Sequence, residues 1–400
     1  MNQSIQGRVL EPLRRAWTWE WLYFLSYGLF LVTSLLSTTF YYRYFIGYPL
    51  MWMQIACVAL LAAYEVHASI RWGHNWIGVV IVAGMSCLGF AISDGNLNRL
   101  VPLMILYIYS ARNIHFAKIA RFSLNVSIVV VCIVVLSGYL GIIDNVVTAK
   151  GSRVREFLGF RYALFLPGIL LNMTALWMYL HKRKLPIVGS LVWAAVNLFV
   201  YVKTDSRISF ALAILLLVLG LAMRFMPRIV EKIQLFWGVC TASFAACGIG
   251  SLVLTLIYNS AIPWMRRLNS MLESRLSLGK KSLERDGVTF FSRHISWVGN
   301  GLDAFGNSSN KVYTYVDCLY VKILQRYGIL FFSALLSICT WAMYKLWKLK
   351  EYHILVICVT VAVHCVLDDL SFALHYNTFW IAMGVALLNP NMLRWSENEA

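Results

Sequence analysis

Charge is scarce in this chain. Only 13% of its 400 residues are Asp, Glu, Lys or Arg, and 18 acidic residues face 35 basic ones. Soluble domains carry roughly a quarter charged residues. That shortage, with 60% hydrophobic residues, excludes an ordinary soluble enzyme and points to a polytopic membrane protein. A CxxC pair and any metal-like His/Cys spacing are also missing, so no redox motif, metal or other cofactor is expected. Cys57, Cys87, Cys132, Cys240, Cys247, Cys339, Cys358 and Cys365 sit in apolar runs, where a thiol behaves as a small hydrophobe, and only Cys318 has polar neighbours. A disulfide framework is therefore not expected. The first apolar run is long and lacks an A-x-A-like exit, so it reads as an anchor and not a cleavable signal. The net charge of +17 is scattered among hydrophobic runs without a continuous basic stripe, which argues against a nucleic-acid partner. No linker, low-complexity segment or soluble domain interrupts residues 1–400, so one integral membrane domain is expected.

What is present is a series of apolar segments. A bilayer span needs about 17–25 residues. Segments near 20–41, 48–66, 75–93, 97–111, 122–143, 161–180, 185–203, 207–226, 234–258, 327–347, 352–369 and 372–389 give an all-α fold of about 12 transmembrane helices. The fourth is the weakest, because Arg99 and Pro102 interrupt it. Basic residues such as Arg14, Arg71, Arg112, Arg183, Arg228 and Lys348 fall on alternate connections, which places both termini in the cytoplasm. The stretch RVLEPLRRAWTWEW reads as a basic interfacial helix with tryptophan anchors.

The opposite face breaks this pattern. Lys150, Arg153, Arg155 and Arg161 occupy one short outer loop, Lys203 and Arg207 another, and residues 259–326 form a long extracytoplasmic loop. These short-loop cations oppose the topology signal. Either they pair with Glu156, Asp205 or lipid headgroups, or they face an anionic ligand. In KTDSRIS, Asp205 or Ser206 can cap a helix that starts with Arg207, and a helix N-terminus with an arginine suits phosphate. Residues 264–298 are basic and can be helical up to Gly287, contributing Arg275, Arg293, His294, Trp264 and Trp297. Flat aromatic faces beside polar groups suit sugar rings. In YTYVDCLYVKILQRYG, helical spacing puts Asp317, Tyr320, Leu324, Tyr327 and Gly328 on one face. The element is expected to be an amphipathic helix at the outer surface, ahead of the span at 327–347, with Asp317 as either a base or an N-cap. Lys322 and Arg326 lie off that face, toward lipid headgroups.

YVDCLY…YG, preceded by SRLSLG and RHISWVGNG, resembles the bacterial polysaccharide polymerases of the Wzy type, which make O-antigen, exopolysaccharide and capsule. REFLGF, TDSRIS and LDDLSFALHYNTFW extend the resemblance over most of residues 150–385, while the first four spans match only in hydropathy. The resemblance implies an inverting, C-type glycosyltransferase related to O-antigen ligases. Such an enzyme takes an undecaprenyl-pyrophosphate-linked oligosaccharide as donor and a second lipid-linked repeat unit as acceptor. It implies a place in the bacterial plasma membrane with the active site facing outward, among membrane lipids, and leaves room for a chain-length regulator protein as partner. Where ligases carry a histidine before the tyrosine-rich helix, this chain has Asp317. Preorganised arginines stabilise a pyrophosphate leaving group without a metal, which suggests Arg207 and Arg275 as catalytic, with Arg153, Arg155, Arg161 and Lys203 binding substrate. Asp317 is the favoured base, with Asp368, Asp369 and His294 as alternatives. Arg293, Trp297 and Tyr320 complete the expected substrate contacts. A ligase and a lipid-linked oligosaccharide flippase are the rival readings. No repeat of the first half appears in the second, which disfavours the transporter.

Overall fold

The computed structural model describes residues 19–72, 80, 83–84, 100–150, 153–309 and 311–394. The expected interfacial helix before residue 19, and nearly all of the expected span at 75–93, lie outside the described residues. The chain is mostly helical. Helices α1 (Glu20–Leu36), α2 (Tyr48–Trp72), α3 (Leu100–Ser110) and α4 (Phe116–Tyr139) form the first group. Helices α5 (Phe165–His181), α6 (Ile187–Thr204) and α7 (Arg207–Phe225) follow, then α8 (Pro227–Lys232), α9 (Gln234–Cys240) and α10 (Ser243–Ile257). The last set is α11 (Pro263–Met271), α12 (Arg275–Asp286), α13 (Leu319–Lys348), α14 (Tyr352–Leu367) and α15 (Phe379–Leu388).

Among the described residues, five helices are long and apolar enough to cross a bilayer: α2, α4, α6, α7 and α13. The expected span at 234–258 is instead the pair α9 and α10, bent by 50° between them. The pattern along α6 shows why these helices suit lipid. Val188, Leu191, Val202 and Phe199 face outward, whereas the polar Ser190, Asn197 and Thr204 are buried. Asn197 Nδ2 donates to Thr174 Oγ1 on α5 at 3.0 Å, and Asn172 Nδ2 donates to Thr378 Oγ1 at 3.2 Å. Polar side chains that bond between helices while apolar ones face out are the arrangement a bilayer demands. Helix α5 lies at the centre, buried almost throughout, and packs on α4, α6, α7 and α14.

One feature departs from an all-helical fold. Strands β1 (Val147–Lys150) and β2 (Arg153–Glu156) pair antiparallel, with Thr148 opposite Arg155. Side chains alternate along a strand, so Arg153 and Arg155 share a face while Val154 is exposed on the other.

The stretch at 319–328 also departs from expectation. It is helical and starts where expected, but its burial is not confined to one face. Leu319, Tyr320, Val321, Ile323 and Gln325 are buried on several faces of the helix. Gly328 interrupts α13 with φ 83° and ψ 173°, a backbone only glycine adopts readily. Segment 289–293 runs against this break. Ile329 N–H donates to the Thr289 carbonyl at 3.0 Å, and Arg293 N–H donates to the Arg326 carbonyl at 2.9 Å. The backbone groups that the break releases are thus satisfied by this neighbouring segment.

Candidate active site

Three chain reversals meet at one end of α7. At the first, α6 ends on Asp205, whose φ of 48° is left-handed, and α7 begins at Arg207. The buried Ser206 between them accepts from Thr204 Oγ1 at 2.9 Å, and its side chain accepts no capping hydrogen bond from α7. At the second, Glu273 and Ser274 are both left-handed, with φ of 51° and 68°, immediately before α12. Two such non-glycine residues in succession cost on the order of 1–3 kcal/mol each and persist only where surrounding contacts impose them. Here the Ser274 N–H donates to the Asn269 carbonyl at 2.8 Å, and Ser277 N–H donates to Asn269 Oδ1 at 3.0 Å. The third reversal is the β1–β2 hairpin. Its consequence is that Arg155, Arg207 and Arg275 line one open cleft, with Asp205, Ser209, Glu273, His364 and Asp368.

The arginines are held differently. Arg275 is buried, its side chain 7% exposed. Its Nε donates to the Leu367 carbonyl, its Nη1 donates to the Leu272 carbonyl at 3.1 Å, and Glu273 Oε2 lies 3.6 Å from Nη1. Arg207 is 61% exposed and pairs with Asp205 Oδ1 at 3.3 Å. Arg155 has a buried Nε without a hydrogen-bond partner. Arg207 and Arg275 are each the first residue of a helix, where backbone N–H groups and the helix dipole add to their charge. Arg153 stands behind the cleft as a clamp. Its Nε pairs with Asp205 at 2.8 Å and its Nη2 with Glu273 at 3.0 Å, tying two reversals together. Burial opposes ionisation of Glu273, yet Arg153 and Arg275 hold its carboxyl below the usual range.

A cluster of carboxylates adjoins Arg275. Asp368, just past α14, is buried, and its Oδ1 accepts from the Leu370 N–H at 2.9 Å. Burial first, and then the neighbouring Asp369 charge, push its carboxyl up to about 7. Asp317 is likewise raised, chiefly by burial, with Arg275 pulling the other way. Asp369 is engaged elsewhere. Its Oδ2 accepts from Tyr315 Oη at 2.8 Å and from Lys322 Nζ. Lys322 Nζ also lies 4.1 Å from the Tyr315 ring centre and 5.7 Å from that of Trp297. Lys322 therefore meets this aromatic and acidic box and not lipid headgroups.

The cleft thus brings together four residues singled out from the sequence: Arg155, Arg207, Arg275 and Asp368. Arg153 braces it from behind. The rest fall elsewhere. Lys203 pairs with Glu156 at 2.9 Å. Arg161 is stacked 4.7 Å over Tyr42, and its guanidinium donates to the Ser37 and Leu302 carbonyls, joining the end of α1 to a distant loop. The Arg293 guanidinium donates to the Asp286 and Gly287 carbonyls beyond α12. His294 is exposed on the same loop and does not line the cleft. Trp297 Nε1 donates to Ser282 Oγ at 3.1 Å. Tyr320 is buried, and its hydroxyl donates to the Ala362 carbonyl at 2.9 Å, so it holds α13 to α14 and does not face the cleft. The pairing reading holds for Lys203 with Glu156 and for Arg153 and Arg207 with Asp205, while Arg155 and Arg207 line the cleft.

His364 and Glu273 are cleft residues that the sequence reading passed over. VAVHCVLDD carried a usable signal: an imidazole in an apolar run, four residues before Asp368, belongs on the same helical edge. Among the described residues, no group of three or more His, Cys, Asp or Glu side chains is placed to hold a metal ion. No family model matches this chain, and neither a curated protein nor a solved structure does.

Proposed function

We propose that this chain is an inverting polysaccharide polymerase of the plasma membrane. It transfers a glycan from undecaprenyl pyrophosphate to a hydroxyl of a second lipid-linked repeat unit. The observation that carries the reading is the convergence of Arg155, Arg207 and Arg275, from three separate segments, on one cleft with a buried carboxylate, Asp368. The anomeric carbon–oxygen bond to pyrophosphate breaks while the acceptor oxygen bonds to the anomeric carbon from the opposite side. Negative charge grows on the departing pyrophosphate, where fixed guanidinium groups stabilise it most. The acceptor proton passes to Asp368, whose raised proton affinity suits a base working near neutral pH. Asp317 is in electrostatic contact with both Asp368 and Arg275. The reading includes about twelve spans with both termini in the cytoplasm, which cysteine labelling of successive loops from each side tests.

The functional test is polymerisation of a defined lipid-linked repeat unit by the purified protein in nanodiscs. A ladder of products from the native chain and none from Arg275→Ala is the expected result. A ladder that survives Arg275→Ala and Arg207→Ala overturns it. In cells, deletion of a polymerase leaves single repeat units displayed outside, whereas deletion of a flippase traps them within.

A further inference from the structure

The imidazole of His364 is 1% exposed, yet it lines the cleft. Its Nδ1 lies 2.6 Å from Ser371 Oγ, and its Nε2 is buried with no hydrogen-bond partner. A buried polar atom without a partner, on a residue that lines an open cleft, is a position a ligand would complete.

Hydrogen-bond accounting fixes which proton the ring presents. Ser371 Oγ has His364 Nδ1 as its hydrogen-bond partner within the described residues, and its hydroxyl proton needs an acceptor. A neutral ring accepts that proton at Nδ1 and therefore carries its own proton on Nε2. The opposite tautomer would leave the serine proton unsatisfied in a buried place. Nε2–H is thus a buried donor without a partner, on a residue that lines the cleft together with Arg155, Arg207 and Arg275. Of the cleft's three carboxylates, Asp205 and Glu273 pair with arginines, and Asp368 accepts at Oδ1 from the Leu370 amide.

We infer that His364 is a binding residue that donates from Nε2 to a phosphate oxygen of a diphosphate held by the three arginines, with Ser371 as the positioning residue that sets its tautomer. This rests on the reading of the cleft as the site of the pyrophosphate leaving group. It adds a neutral, directional donor to a set of charged ones.

Titration of inorganic pyrophosphate into the nanodisc-embedded protein tests it at fixed ionic strength. Glutamine places an amide N–H near the position of Nε2, so His364→Gln should stay within about threefold of native affinity. His364→Leu, which keeps the volume and removes the donor, should weaken binding about tenfold or more, as expected for a hydrogen bond to a charged group. Ser371→Ala releases the tautomer and should fall between the two. Native-like binding by the leucine variant, or glutamine as weak as leucine, overturns the inference, as does absence of binding by the native protein. If leucine fails to fold, equal affinity of Ser371→Ala and the native chain overturns it instead. The polymerase reading fails separately: pyrophosphate binding with this ranking, but no ladder from any lipid-linked repeat unit, leaves the anion site standing and removes the polymerase.

Discussion

The hydroxyl of Tyr313 donates to Asp317 Oδ2 at 3.0 Å, and the N-cap of α13 is Cys318, with no side chain capping that helix end. Asp317 is therefore a half-buried carboxylate with a tyrosine partner and not the cap of the helix it precedes. Its charge raises Asp368. With Asp368 as base, Asp317→Asn should keep polymer but move the acidic limb of the rate–pH profile to lower pH. No polymer at any pH would make Asp317 the base itself.

Asp368 gives the second prediction, in stability. Its folded carboxyl is raised from 3.8 to about 7, so across that window the folded chain holds a proton that the unfolded chain has lost. Stability then falls as pH rises through that window and is flat below it. Asp368→Asn should remove this slope in thermal unfolding and abolish polymerisation. A slope that persists in the variant assigns it to other groups.

The basic residues should separate into two classes. Arg275→Ala removes a guanidinium from the cleft and should lower kcat at least 100-fold, in the range seen for single transition-state donors. Arg161→Ala and Lys203→Ala should leave kcat within about threefold. Arg161→Ala should nevertheless lower the thermal midpoint, because the Ser37 and Leu302 carbonyls lose a charged donor, worth roughly 1.5–3 kcal/mol. Equal kinetic losses across all three variants would argue for a diffuse electrostatic effect.

Gly328→Ala tests the break in α13. An added Cβ would lie 2.5 Å from the Phe290 carbonyl oxygen and 2.6 Å from that of Phe291, at a φ of 83°. Both contacts are backbone, so neither yields easily. The variant should lose more than about 1–3 kcal/mol, the cost of a strained φ alone, and should free segment 289–293 to limited proteolysis. An unchanged proteolysis pattern would show that the segment is held by other contacts.

A good part of this protein is legible in its sequence. Long apolar runs bounded by charge give α6 and α7 almost to the residue, because a bilayer span must satisfy its own backbone and can do so only as a helix. The left-handed Gly287 ends α12 where the run 264–298 predicts an end. The placement of Arg207 in the first turn of α7 follows from TDSRIS alone. These are local matters, governed by periodicity, caps and turn chemistry.

Which cation does what is decided only by the tertiary structure. Arg155, Arg161, Lys203 and Arg207 are equivalent in sequence terms, each a basic residue in a short outer loop. Folding pairs Lys203 with Glu156, stacks Arg161 on Tyr42, and sends Arg155 and Arg207 into the cleft with Arg275. The same holds for the tyrosine-rich stretch before α13: its spacing gives the helix, but whether a face meets sugar, lipid or α14 depends on packing between segments far apart in the chain. His364 was hidden for the same reason, since one imidazole in an apolar helix acquires meaning only when Ser371 and the arginines close around it. Local interactions fix the elements; long-range contacts, which no spacing encodes, select the site.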